Sequence, residues 1–154
     1  MSLMTVLSPD ELRSLHFTFI DILMMVSQIE GETGMDVQEH NAFLGLLNDP
    51  KIFHEPLARD AFDLLAHRWD RVFAEYQRQY EYSPAYFERS LVRSRIILDK
   101  KLGPTSAHGF KHAFVQLAVK IAEASAEDST AEPVGPLEQK TIDFIAHTLT
   151  IDEP

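Results

Sequence analysis

The stretch SPDELRSLHFTFIDILMMV, residues 8–26, decides the fold. Ser8 stands where a helix cap belongs, Pro9 fills the first helical position, where a missing N–H costs nothing, and Glu11 completes a capping box. Behind this start Leu12, Leu15, Phe19, Ile22, Leu23 and Val26 recur at three- and four-residue intervals, one apolar stripe on a helix. A stripe of this kind is stable only when other elements cover it.

The rest of the chain supplies them. The stripe ends near Ile29, and Asp36-Val37-Gln38-Glu39 repeats the cap-and-Glu spacing to open a second helix carrying Val37, Phe43, Leu44 and Leu47. Asn48-Asp49-Pro50 closes it. A longer pattern from about Pro56 to Tyr80 sets Leu57, Ala61, Phe62, Leu65, Trp69, Val72, Phe73, Tyr76 and Tyr80 along one side and predicts one long helix. Ser83-Pro84 starts a fourth helix that reaches Lys101 and stops at Gly103-Pro104. A fifth, from about Ser106 to Ala124, places Phe110, Phe114, Leu117, Ala118 and Ile121 on one face. Residues 125–135 (SAEDSTAEPVG) read as a flexible acidic loop, after which Pro136 opens a sixth helix with Leu137, Thr141, Phe144, Ile145 and Leu149 inward. Val, Ile and Thr nowhere alternate with polar residues as a strand requires. The expectation is one all-α domain over residues 1–154, a compact bundle of about six helices.

With 24 acidic against 14 basic residues the chain carries a formal charge of −10, which repels phosphate backbones and argues against general nucleic-acid binding. Cysteine is absent, which excludes disulfides, thiolate metal sites and a Cys nucleophile. No apolar run reaches the ~20 residues of a membrane span. The N-terminus lacks the basic-then-apolar order of a secretory signal, so a cytoplasmic location is expected.

Residues 23–47 and 118–149 share a plan: apolar helix, acidic corner, a Glu at the third position of a new helix, then a second apolar helix. Glu39, Phe43, Leu46 and Leu47 after the first corner parallel Glu138, Ile142, Ile145 and Ala146 after the second. Two hairpins of this kind can bury their apolar sides against one another. The plan resembles the tellurite-resistance TerB-like family, whose helical repeats carry an Ala-x-Ala-Asp-Gly-Glu-Ile signature followed, after a spacer, by Glu-Glu. Gln28-Ile29-Glu30-Gly31-Glu32 and Gln38-Glu39 stand at those places. Glu30 replaces the family's Asp, Thr33-Gly34-Met35 reads as an insertion, and only Glu39 of the Glu pair is acidic. In the second copy Glu123-Ala124-Ser125 lacks the glycine. The resemblance implies an all-helical, cytoplasmic, stress-associated module that works through partner proteins, not by catalysis, and that uses its acidic corners for divalent cations.

The residues themselves admit that chemistry. Hard cations want six to eight oxygens from a tight loop. Glu30, Glu32, Asp36 and Glu39 can supply them, with Glu123 and Glu138 joining if the hairpins pack symmetrically. Calcium, magnesium or zinc are the candidate ions. The spacing is not that of an EF-hand, and capping alone accounts for Asp36 and Glu39.

His108 and His112 stand i, i+4 on a helix, as a zinc pair would, without the Glu of H-E-x-x-H. With nearby carboxylates they define the alternative, a helical metal-dependent hydrolase. Asp63 and His67 form another i, i+4 couple. No Glu-x-x-His pair suggests a di-iron bundle. Arg89, Arg93, Arg95, Lys100 and Lys101 make the fourth helix locally basic, which reads either as a solvated face or as a dock for an acidic partner or a second copy; a plain homodimeric module is thus a further alternative. Trp69 belongs in the core, while Tyr80 and Tyr82 suit an interface. P-loop, dinucleotide and nucleophile-elbow motifs are absent.

Overall fold

Proline sets most of the helix starts. The computed structural model describes residues 3–27, 43–46, 53, 55–79, 83–125 and 136–149. Among them run α1 (Leu3–Val6), α2 (Pro9–Ser27), α3 (Pro56–His67), α4 (Trp69–Gln79), α5 (Pro84–Lys101), α6 (Pro104–Ser125) and α7 (Pro136–Thr148). Residues 43–46 are helical too, and no strand occurs among the described residues. The fold is an all-α bundle, as expected.

The capping box forms at the start of α2. The Ser8 N–H donates to Glu11 Oε1 at 2.8 Å, and the Glu11 N–H donates to Ser8 Oγ at 3.2 Å. The Ser8 hydrogen bond, helped by the Lys101 ammonium, holds the Glu11 carboxyl below its usual range. Ser83 Oγ caps α5 by accepting from the Tyr86 N–H at 3.0 Å, and Glu55 caps α3 by accepting from the Leu57 N–H at 3.0 Å.

The single helix expected over residues 56–80 is in fact two. Arg68 leaves helical geometry at φ −114°, ψ 15°, and its N–H is shared between the carbonyls of Leu64 and Leu65, each at 3.1 Å. Neither proline nor glycine marks the spot. The helix resumes at once, with the Val72 N–H on the Arg68 carbonyl at 2.9 Å, so apolar spacing runs across the junction undisturbed.

α2 lies at the centre and packs against α3, α4, α5, α6 and α7. Its second half is buried on every side, from Phe19 through Val26, and so is more enclosed than a one-sided stripe. Phe19 meets the rings of Phe53, Phe62, Phe110 and Phe114 at centroid distances of 4.8–6.2 Å. Trp69 packs at the edge of this core, stacked on Phe73 at 4.8 Å. Gly109 lets α6 approach the start of α3, since a Cβ there would stand 3.1 Å from that of Glu55.

One core assignment is corrected. Phe144 is 36% exposed, whereas Ile142, Ile145 and Leu149 are buried. Phe144 stands about 100° around the helix from Ile145, which is enough to bring it to the surface. No described helix is long and apolar enough to cross a membrane.

Candidate functional site

α5 turns two different faces inward and outward. Phe87, Leu91, Ser94 and Leu98 are buried, while Ala85, Glu88, Arg89, Arg93 and Ile96 are exposed. At about 100° per residue, Ala85, Val92 and Ile96 fall within about 40° of one another and form an outer apolar stripe. Arg89, Arg93 and Lys100 follow along one edge of it, and Glu88 stands on the other. Ala85, Glu88, Arg89, Val92, Arg93 and Ile96, with Ile97, line a groove of ≈ 560 Å³. Ile96 is 55% exposed, the more solvent-laden of the two large exposed hydrophobics among the described residues.

The basic residues singled out in the sequence divide into two groups. Arg95 donates to the Thr148 carbonyl at 3.0 Å, and Lys101 reaches Glu11 at 3.6 Å, so both are tied to neighbouring helices. Asp99, the adjacent acid, is taken by Lys111 at 2.7 Å. Among the described residues Arg89, Arg93 and Lys100 have no ion pair within 4.0 Å.

Behind this face lies a buried polar cluster that sequence reasoning missed. Asp21 is fully buried, and Tyr76 Oη donates to its Oδ1 and Ser90 Oγ to its Oδ2, each at 2.5 Å. Thr18 Oγ1 bonds Ser94 Oγ at 2.7 Å and Ser90 Oγ at 3.0 Å. Burial pushes the Asp21 carboxyl up to about 6, against the opposing pull of the Ser90, Tyr76 and Tyr86 hydroxyls and of Arg93. Both carboxylate oxygens are occupied and no solvent reaches them, so Asp21 anchors α5 to α2 and offers no face to a substrate. An Asp inside FTFIDILMMV was the available signal, since a charge in an otherwise apolar run needs a partner.

The expected metal ligands are placed unevenly. Glu30, Glu32, Asp36 and Glu39 lie outside the described residues, as do Tyr80 and Tyr82. Glu123 is near the end of α6 and Glu138 in the first turn of α7, so the two share one end of that hairpin. Glu123 Oε1 is 3.8 Å from Lys120 Nζ, a cation that competes for the carboxylate. His108 and His112 are exposed, their rings parallel within 5° at 6.4 Å. His67 Nδ1 is 2.8 Å from the Asp63 carbonyl and 3.7 Å from its carboxylate. Among the described residues no three His, Asp or Glu side chains gather into a ligand set.

Comparison with protein-family models, with curated proteins and with solved structures finds no match.

Proposed function

We propose that this chain is a non-enzymatic interaction module that docks an acidic amphipathic segment of a partner protein along the outer face of α5, in line with its TerB-like, stress-associated resemblance. The observation that carries the reading is the solvent-facing stripe of Ala85, Val92 and Ile96 with Arg89 and Arg93 along one edge. Apolar contact there supplies affinity, and the arginines select acidic partners and speed encounter. A basic edge is distinctive on a chain of net charge −10. The reading keeps a divalent cation (calcium, magnesium or zinc) at the acidic corner, on Glu30, Glu32, Asp36 and Glu39 with Glu123 and Glu138. Its support is the sequence pattern.

A synthetic helical peptide, with Leu at helical spacing and Glu along one edge, tests the docking face by fluorescence anisotropy. Binding is expected to weaken with salt, with Arg89→Glu plus Arg93→Glu, and with Ile96→Ser. A peptide that does not bind, or that binds all variants equally, refutes the reading. Light scattering of the protein alone covers the other occupant: a dimer broken by Ile96→Ser would assign the face to a second copy.

A further inference from the structure

We propose that the cleft between the start of α2 and the α3–α4 junction binds a protonated tetrahedral oxyanion, with hydrogen phosphate as its chemical type. The cleft encloses ≈ 200 Å³, and Arg13, His16, Arg68 and Arg71 line it together with Asp10 and Glu75. At roughly 30 Å³ per water, that is ample room for a five-atom anion. It shares no residue with the outer face of α5.

The junction builds this site. Arg13 and His16 stand one turn apart on α2, and the break at Arg68 brings Arg68 and Arg71 to the opposite wall. Three guanidiniums face two carboxylates, which leaves an excess of positive charge. The internal competitor is weak: Arg13 and Glu75 are 3.6 Å apart, with side chains 49% and 34% exposed. Arg68 and Arg71 have no ion pair among the described residues. Guanidinium forks suit tetrahedral oxyanions, to which they donate two bonds at once.

His16 adds selectivity. It is 2% exposed, and its Nε2 lies 2.8 Å from the Ala61 carbonyl. A carbonyl only accepts, so Nε2 carries the proton and Nδ1 keeps a lone pair. No described hydrogen bond ends on Nδ1. Burial, with Arg68 nearby, lowers the imidazole to about 4, so the ring stays neutral at physiological pH. Arg13, Arg68 and Arg71 thus give the cleft its donors, and His16, which lines it, adds a buried neutral acceptor to the Asp10 and Glu75 carboxylates. Sulfate satisfies only the donors, whereas hydrogen phosphate also brings a hydroxyl for the acceptor.

Isothermal titration with inorganic phosphate and with sulfate, at pH 7.5 and matched ionic strength, tests this. Phosphate is expected to bind about tenfold or more tightly than sulfate, and Arg68→Gln or Arg13→Gln to weaken it by about tenfold each. Circular dichroism confirms that these variants fold. His16→Phe, if folded, should abolish the preference for phosphate while sulfate binding persists. No heat at millimolar phosphate, equal binding of the two anions, or unchanged affinity in folded Arg68→Gln would each overturn the assignment. Arg89→Glu plus Arg93→Glu should leave phosphate binding intact, so this site and the α5 face stand or fall separately.

Discussion

Two buried ionisable groups on α2 should tilt the stability of this protein in opposite directions with pH. Asp21 titrates near 6 when folded and near 3.8 as a free carboxylate. As pH rises from 3.8 to 6 the unfolded chain releases this proton first, so the stability that Asp21 contributes is present below 3.8 and lost by about 6. His16 titrates near 4 when folded and near 6.5 otherwise. As pH falls from 6.5 to 4 the unfolded chain takes up that proton first, so its contribution is present above 6.5 and lost toward 4. At 1.36 kcal/mol per unit, each group moves stability by roughly 3 kcal/mol. Their slopes nearly cancel over pH 4–6 in the native sequence, and single variants should unmask them. Urea unfolding at steps from pH 4 to 7 measures this, with each variant read as a difference from wild type so that other carboxylates drop out. Asp21→Asn should gain roughly 3 kcal/mol relative to wild type as pH rises from 4 to 7. His16→Gln should gain a similar amount relative to wild type as pH falls over the same range. Difference curves that stay flat for both variants would refute the reasoning.

Three further outcomes are expected. Phe19→Ala opens a cavity among Phe53, Phe62, Phe110 and Phe114 and should cost about 3–5 kcal/mol by urea unfolding. Asp99→Asn removes the partner of Lys111, which is 7% exposed, and should cost about 1–3 kcal/mol, with the loss reduced when Lys111→Met is added. Calorimetry with calcium, magnesium and zinc should show heat that disappears in Glu30→Gln plus Glu32→Gln; silence with all three ions, together with an unchanged Tm, ends the cation proposal.

Helix starts were legible because proline and short capping side chains act within four residues of themselves. Ser8, Ser83 and Pro136 announced their helices for that reason. The break at Arg68 was hidden, since both halves keep their apolar residues in step and the distortion is a matter of one residue's dihedral angles. The buried cluster was hidden for another reason. The hydroxyls that satisfy Asp21 come from residues 55 and 69 positions away, and no local pattern reports such a meeting. On α5 the run Ile96-Ile97-Leu98 looks uniformly apolar, and only packing tells that Leu98 is inside and Ile96 outside. Phe144 was misplaced because it directly precedes Ile145, and a broad stripe through Leu137, Thr141, Phe144, Ile145 and Leu149 fits the helical period with Phe144 included.

The central position of α2 has a consequence for biosynthesis. α2 precedes in chain order the five helices that cover it, and α6 and α7 follow last. At about 5–20 residues per second, the emerging α2 waits on the order of ten seconds for that cover. During the wait its apolar surface is open to other nascent chains and to chaperones. His16, Thr18 and Asp21 interrupt that surface, and in the unfolded chain they are solvated and, for Asp21, charged. The same residues that are locked inside the finished bundle thus leave polar groups on α2 before it closes, the placement by which polar side chains blunt the association of apolar segments.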